Sequence, residues 1–376
     1  MPQGVYLDHQ SSTPAAPEVV AAILRSISGT YANPHSDEHA AGWAAADAIE
    51  AARGQIADRL GAESHEVIFT SGATEANNIA ILGCRPIAGR SKVVVAATEH
   101  KSVIAPAREL RARRLEVAIV PVNAEGLVEI DALDRLVDER TLLVSLQFAN
   151  NEIGTVQPLQ SIAELCRSRG ALVHTDAAQA LSWASLDVDA LGVDLMSVSG
   201  HKAGGPKGIG ALYVRAAVRD ALRPLHFGGE QEGGLRPGTL PTPLCVGLGV
   251  ACELAPDDAG IQAWRETTLR LLSGLREIQP DLILNGHRTE RHPGNLSVRL
   301  PGQDADQVIA RLQPEVAVSR GSACTSGTPE PSHVLRAIGL NARECDETIR
   351  LSTGPTTSEE DVDRALAAFR RAVRPG

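Results

Sequence analysis

Residues 141–180 read TLLVSLQFANNEIGTVQPLQSIAELCRSRGALVHTDAAQA, and they contain a complete strand–helix–strand unit. The apolar, β-branched runs at 141–150 and 171–180 predict strands, and the pattern at 159–170 predicts a helix that ends at Gly170. Both predicted strands are apolar along their whole length. Such strands are typical of a parallel sheet that helices cover on both faces.

The same alternation continues on both sides of this unit. Further strands are predicted at 66–72, 92–100, 116–122, 193–200 and 208–215, with helices at 74–83, 102–114 and 130–139. We therefore predict an α/β fold whose large domain, residues 13–250, is built on a mainly parallel seven-stranded sheet. Residues 1–12 with 251–376, which include a predicted strand at 294–300 and a helix at 304–312, are expected to form a smaller α+β domain.

Composition excludes several classes of function. The 376-residue chain has a formal net charge of −10 and no run of more than two Lys or Arg residues, so direct nucleic-acid binding is not expected. The start of the chain lacks a signal-peptide pattern, and no apolar run is long enough to span a bilayer, so a cytoplasmic protein without membrane contact is predicted. The six cysteines form no C-x-x-C pair, and no metal site is predicted.

The strongest local signal is SVSGHKAGGPKGIGALYV at 197–214, where a predicted strand delivers Ser199, His201 and Lys202 into a glycine-rich turn. A lysine held at such a turn can form a Schiff base with a carbonyl cofactor. Lys207 is the local competitor, although it lies deeper in the turn. The alternative is that Lys202 is an ordinary solvated lysine.

Asp176 and Gln179 follow a strand in HTDAAQA. A carboxylate at this place suits the protonated ring nitrogen of pyridoxal phosphate, because a protonated ring is the better electron sink. Gln179 could donate a hydrogen bond to the phenolic oxygen of the same cofactor. The alternative is that Asp176 only caps a helix.

Three further segments carry candidate ligands. TSGATEANN at 70–78 is a strand-to-helix turn whose free N–H groups and Thr74 hydroxyl could bind phosphate. His100 follows a strand and could stack on a flat cofactor or move protons near neutral pH. Arg350, on a predicted strand, could capture a carboxylate with its planar guanidinium. Each of these residues could instead be structural.

Cys324 lies in VSRGSACTSGTPEPSHVL at 318–335, on a predicted mobile loop rich in Gly, Ser and Pro. Exposure would let its thiol ionise, and the neighbouring Arg320 could assist electrostatically. We expect the other five cysteines to be packing residues. The alternative is a surface cysteine without a role.

Together these motifs resemble group I cysteine desulfurases of the NifS and IscS type, which are fold-type I pyridoxal phosphate enzymes. The resemblance runs from YLDHQSSTP to IRLSTGPTT, and its most specific motifs are TSGATEANN, TEHKSV, NNEIGTVQP, HTDAAQ, SGHKAGGPKGIGALYVR, RPGTLPT and GSACTS. It implies conversion of L-cysteine to L-alanine, with the sulfur left as a persulfide on Cys324 for a sulfur-acceptor protein.

The resemblance also implies a role for each candidate. Lys202 would form the Schiff base with pyridoxal phosphate and act as the base at the substrate's Cα, Asp176 would pair with the ring nitrogen, and Gln179 with the phenolic oxygen. His100 would stack on the ring, and Cys324, on the loop at about 318–332, would be the nucleophile.

The phosphate would be held by Ala73, Thr74, Ser199 and His201, and by Thr239 from the other subunit of a homodimer. The substrate carboxylate would be fixed by Asn151 and Arg350, and Asn151 would also contact the cofactor.

Several features leave alternatives open. DHQSS stands where relatives more often have small residues, Pro237 replaces a usual serine, Pro355 stands where an arginine is common, and Arg320 where a small residue is common.

The sulfur recipient stays open, and iron–sulfur assembly, tRNA thiolation, DNA modification and selenium metabolism are all candidates. A selenocysteine lyase, or another lyase or aminotransferase on the same fold, is the alternative enzyme. A non-catalytic scaffold that only docks sulfur-transfer partners is the alternative outside enzymes.

Overall fold

The computed structural model describes residues 4–87, 89–321 and 331–373. Its strands are β1 Val5–Tyr6, β2 Val67–Thr70, β3 Lys92–Ala96, β4 Val117–Val120, β5 Thr141–Gln147, β6 Leu172–Asp176, β7 Leu195–Ser199, β8 Gly210–Val214, β9 Ile283–Leu284, β10 Asn295–Arg299, β11 Val316–Ala317 and β12 Thr348–Ser352.

Its α-helices are α1 Pro17–Gly29, α2 Ala40–Leu60, α3 Ala73–Leu82, α4 Lys101–Ala112, α5 Ile130–Leu136, α6 Leu159–Ser168, α7 Val188–Leu191, α8 Thr242–Glu253, α9 Asp258–Ile278, α10 Ala305–Leu312, α11 His333–Ala337, α12 Ala342–Asp346 and α13 Glu359–Ala372. Among the described helices, none combines the length and the apolar character that crossing a bilayer requires.

The large sheet confirms the predicted α/β fold. Within the described residues it has seven strands in the order β2-β8-β7-β6-β5-β3-β4, and only β8 runs antiparallel to its neighbours β2 and β7. Several strands end earlier than the sequence pattern predicts. Strand β3 ends at Ala96 and β6 ends at Asp176, and the residues that follow them turn into loops at the carboxyl edge.

Neighbouring residues of the outer strand β2 and of the inner strand β5 are buried on opposite faces of this sheet. Phe69 and Val144 belong to a hydrophobic cluster that includes α2, α6 and α8, whereas their neighbours Ile68 and Leu143 belong to one that includes α3 and α4. This two-sided burial explains why the strands lack an alternation of polar and apolar residues.

A separate hydrophobic cluster joins β1, β10 and β12 to helices α9, α10 and α13. Strand β10 lies between β12 and β9 in an antiparallel sheet, and β1 pairs with β11. The division into a domain of residues 13–250 and a smaller one of 1–12 with 251–376 stays a prediction. What matters for the site is that β12, an outer strand of the smaller sheet, carries Arg350 at its middle position.

Candidate active site

The lysine turn starts where β7 ends at Ser199. Residues Gly200–Lys202 form a single 3₁₀ turn, and the chain then folds back so tightly that a Cβ on Gly205 would lie 2.8 Å from the carbonyl oxygen of Gly200. The turn directs Lys202 inward, where its Nζ donates a hydrogen bond to the main-chain carbonyl of Gln10 at 3.3 Å. Lys207, the sequence-based competitor, is exposed.

Gln179 meets Lys202 at the same carbonyl. Its Nε2 donates to the Gln10 oxygen at 3.0 Å, and Trp183 Nε1 donates to the Gln179 main-chain oxygen at 2.6 Å. Two residues that are 23 positions apart in the sequence therefore point at one atom. The structure brings together the predicted covalent cofactor residue and one predicted partner of the cofactor ring.

Asp176 ends β6 and is only 6% exposed. Its Oδ2 accepts a hydrogen bond from Asn77 Nδ2 at 2.7 Å, and its Oδ1 accepts one from the Ala178 N–H at 3.0 Å. Asn77 also donates to Ser102 Oγ at 2.8 Å, and Ser102 Oγ lies 2.7 Å from His100 Nδ1. A continuous polar chain thus links the carboxylate to the predicted stacking histidine.

The histidines around this chain are held in their neutral form. Burial lowers the pKa of His100, although the nearby Asp176 opposes this effect. Burial also lowers the pKa of His201 to about 4, and that of His174 to about 4. His174 is fully buried, and its two ring nitrogens lie 2.7 Å from Ser145 Oγ and 3.0 Å from Ser197 Oγ.

The predicted phosphate residues lie on the two turns beside this network. Helix α3 begins at Ala73, directly after Gly72, which has a φ of 146°, a backbone angle that glycine adopts more readily than other residues. The N–H groups in the first turn of a helix have no partner within the helix, so they are available to a ligand. Thr74 and His100 line one cavity of about 480 Å³. Ser199 is buried, and His201 Nδ1 lies 3.3 Å from Ser12 Oγ.

Arg350 is 2% exposed, and both Nη atoms of its guanidinium donate to oxygen acceptors, whereas Nε has no partner among the described residues. Nη2 forms an ion pair with Asp8 Oδ1 at 2.7 Å and donates to Ser11 Oγ at 2.6 Å. Nη1 donates to the main-chain carbonyl of Asn151 at 2.7 Å. The structure therefore joins the two residues predicted to fix the substrate carboxylate, and it adds an acidic partner that the sequence pattern did not predict.

Two predicted residues remain. Thr239 is exposed on the Gly/Pro-rich segment 224–243, and Cys324 lies outside the described residues. Arg320 forms ion pairs with Asp306 and Asp346, both at 2.8 Å, so its charge is balanced by two carboxylates. We therefore no longer assign it an electrostatic role toward Cys324.

The other cysteines, Cys84, Cys166, Cys245, Cys252 and Cys345, are all buried, as the sequence predicts. Burial raises the pKa of the first four thiols to about 12, and it raises that of Cys345 as well. Since only the thiolate is a nucleophile, these five are poor candidates for the reactive residue.

Sequence reasoning missed several residues of the site. Asn77 and Ser102 lie inside the motifs TSGATEANN and TEHKSV, but nothing in their spacing shows that both reach Asp176 or His100. Asp8 and Gln10 lie in YLDHQSSTP, and these contacts are with residues 169 to 342 positions away. The polarity of DHQSS is the one signal that could have drawn attention to them.

Comparison with known proteins places this geometry in a family. The family model described as aminotransferase class-V matches residues 5–365. The chain belongs to the class V aminotransferase family. Within it, the chain is similar to cysteine desulfurase IscS of Rickettsia rickettsii (strain Iowa), with 41% identity over 366 residues, 96% of this chain and 89% of that protein.

Solved structures agree with this assignment. A structure described as a NifS-like protein has a TM-score of 0.91 and 32% identity, and the match covers 98% of both chains. A structure of SspA in complex with cysteine has a TM-score of 0.81 and 36% identity, covering 93% of this chain and 99% of that one. The predicted relationship to NifS- and IscS-type proteins is confirmed.

Proposed function

We propose that the protein is a cysteine desulfurase that converts L-cysteine to L-alanine and transfers the sulfur atom to Cys324. The observation that carries the proposal is the cluster around Gln10, where Lys202 and Gln179 share one carbonyl acceptor and Arg350 lies on the adjoining strand. In balanced form, L-cysteine and the Cys324 thiol give L-alanine and a Cys324 persulfide.

The described residues fit pyridoxal phosphate as the cofactor. The donors to Asp176 are the neutral amide groups of Asn77 and Ala178, so its negative charge suits a protonated ring nitrogen. Lys202 would hold the cofactor covalently, and Gln179 would contact the phenolic oxygen. The phosphate would lie against Ala73, Thr74, Ser199 and His201. When bound, the cofactor withdraws electrons from the substrate's Cα.

Lys202 and His100 would move the protons. Lys202 Nζ lies on the buried side of the glycine-rich turn, and once the substrate amine replaces it, the freed amine can take the proton from Cα. His100 is kept neutral by burial, and its Nδ1 accepts a hydrogen bond from the Ser102 N–H, so the proton that its ring could exchange with the substrate's thiol group is the one on Nε2. The Ser102 hydroxyl at Nδ1 would fix the orientation of the ring.

Arg350 and Asn151 would bind the substrate carboxylate. The guanidinium is held in place by Asp8, Ser11 and the Asn151 carbonyl, which reduces the entropy lost when a carboxylate binds. Because Asp8 already neutralises part of its charge, Arg350 would position the substrate more than it would attract it.

A homodimer and a protein acceptor complete the proposal. The segment 224–243 is anchored by a buried pair, in which Arg53 Nη2 and Nη1 contact the two Glu232 oxygens at 2.8 and 2.9 Å. This anchor would hold the exposed Thr239 toward the phosphate of a partner subunit. The acceptor would be an iron–sulfur scaffold or a sulfur-relay protein, and the cytoplasm is the location we propose.

The function is tested by product analysis. The purified protein, supplied with pyridoxal phosphate, L-cysteine and a thiol reductant, should release alanine and sulfide in equal amounts. Formation of pyruvate or of a keto acid in their place would favour another lyase or an aminotransferase. Preference for selenocysteine would favour the selenocysteine lyase alternative, and absence of any product would support the non-catalytic scaffold.

A further inference from the structure

Gln10 is fixed in the site by contacts at both ends. The segment before it runs beside β12, with a bridge between Asp8 and Ser352, and the Gln10 N–H donates to Ser352 Oγ at 3.0 Å. Its carbonyl accepts from Lys202 Nζ and from Gln179 Nε2. The residue thus stands between the lysine turn and the strand that carries Arg350.

The positions of the oxygen and the nitrogen in the Gln10 side-chain amide follow from the directions of two neighbouring hydrogen bonds. Arg291 can only donate, and its Nη2 lies 2.8 Å from Asn295 Oδ1. The Asn295 Nδ2 group must therefore face the other way, where it donates to Gln10 Oε1 at 2.6 Å. This network assigns oxygen and nitrogen in both amides, so Gln10 Nε2 points away from Asn295.

That Nε2 group is a buried donor with an unmet hydrogen bond. Gln10 is 2% exposed, and Nε2 finds no partner within residues 4–87, 89–321 and 331–373. The other polar atoms of Gln10 are all bonded. A buried donor without a partner is destabilising, so the presence of this donor beside Lys202 is explained if a ligand brings the acceptor.

We infer that Gln10 Nε2 donates a hydrogen bond to the α-carboxylate of the amino-acid substrate. In an α-amino acid, the carboxylate carbon is two bonds from the amine that takes the place of Lys202 Nζ. A donor on the residue that already touches Nζ is therefore well placed for that carboxylate. Arg350 Nη2 is paired with Asp8, which leaves room for a second, neutral donor. The inference rests on the proposed function.

The test compares ligands with and without a carboxylate. L-cysteine and cysteamine share an amine and a thiol, and their binding can be followed by the visible absorbance of the protein loaded with pyridoxal phosphate. Gln10→Met keeps the volume and removes the donor. We expect cysteine binding to weaken about ten-fold or more, while cysteamine binding and cofactor absorbance stay unchanged.

Gln157→Met is a matched control, because Gln157 is also buried but both ends of its amide are satisfied, by Val128 N–H and the Gly126 carbonyl. It should lower the melting temperature without changing the ratio of cysteine to cysteamine affinity. If Gln10→Met folds poorly, Gln10→Glu keeps an acceptor for Asn295 and should weaken cysteine binding still more.

Equal affinity of wild type and Gln10→Met for cysteine would overturn the inference, as would equal weakening of both ligands. A changed cofactor absorbance with unchanged cysteine affinity would assign the donor to the cofactor and also overturn it. Both proteins are measured in a Cys324→Ser background, in which cysteine binds but is not consumed. A protein without this substitution that shows no activity would therefore count against the proposed function alone.

Discussion

The two carboxylates of the site, Asp176 and Asp8, have opposite surroundings. Asp176 ends a strand of the large sheet and receives hydrogen bonds from neutral amides of Asn77 and Ala178. Asp8 lies beside the smaller sheet and is paired with the Arg350 guanidinium at 2.7 Å. The first charge is thus available to a cation that enters the site, whereas the second is largely neutralised within the chain.

His174 lies close to Asp176 in the sequence but does not neutralise its charge. It lies two residues before Asp176 on β6, so the two side chains share a face of the strand. A protonated His174 would neutralise Asp176, but burial keeps its pKa at about 4 and the ring neutral. The hydrogen-bond donors to Asp176 are therefore neutral groups, whereas the positive charge of Arg350 is paired with a carboxylate.

The largest effect is expected at Lys202. Lys202→Ala removes the only group proposed to bind the cofactor covalently and to move the Cα proton. Turnover should fall by on the order of 10⁴-fold or more. Borohydride reduction and peptide mapping should find the pyridoxyl group on Lys202 in the wild type.

Lys207→Ala is the matched control, since this lysine is five positions away but exposed. It should retain the label and the turnover. A pyridoxyl group on Lys207 would contradict the assignment of Lys202 as the cofactor-binding lysine. The cofactor could then not be placed beside Asp176, and the comparison of Asp176 with Asp8 would lose its basis.

Asp176→Asn tests the available charge directly. The amide keeps the shape but cannot stabilise a protonated ring nitrogen. We expect turnover to fall by roughly 100-fold or more, with a shifted visible absorbance of the bound cofactor. Activity within a factor of a few of wild type would show that the charge of Asp176 is not required.

Asp8→Asn tests the compensated charge, with a smaller expected effect. The amide oxygen can still accept from Arg350, while loss of the negative charge leaves the guanidinium more attractive to the substrate carboxylate. The KM for cysteine should fall about three- to ten-fold, and kcat should change less. A higher KM in steady-state kinetics would mean that Asp8 serves mainly to hold Arg350 in place.

The last of these predictions concerns stability and not activity. The unfolded-state pKa of His174 is near 6.5 and its folded pKa is about 4. The contribution of the neutral, buried ring to the free energy of unfolding is therefore fully present above pH 6.5. It is lost as pH falls toward 4, because only the unfolded state gains the proton. His174→Asn should reduce the loss of unfolding free energy between pH 7 and 5 by about 2 kcal/mol in chemical denaturation. Equal pH dependence in both proteins would contradict neutral burial.

The sequence predicts one half of the site better than the other. Lys202, Asp176 and Gln179 follow buried strands, and the carboxyl ends of neighbouring parallel strands must meet at one edge. The pair of Asp8 and Arg350 depends on how residues 342 positions apart align across the small sheet, which no local pattern encodes. The chain of Asn77, Ser102 and His100 likewise depends on how α3 packs beside α4.

Helices are predictable to a similar extent. Those between the strands of the large sheet follow from their periodicity, and their bounds agree within a few residues. Helix α2, with its many alanines, has no marked apolar stripe and was not predicted, although it packs on the main hydrophobic cluster. Alanine is a strong helix former but a weak signal of burial, which explains the omission.

The most direct test of the account is to locate the sulfur. Wild-type protein loaded with pyridoxal phosphate should form one persulfide per chain on Cys324 and one alanine when given L-cysteine without reductant, as read by peptide mass spectrometry and amino-acid analysis. Cys324→Ser should keep the cofactor and lose both products by orders of magnitude, whereas Cys345→Ala, which removes a buried thiol, should retain them. Alanine formation by Cys324→Ser at a rate near that of wild type would contradict the central claim.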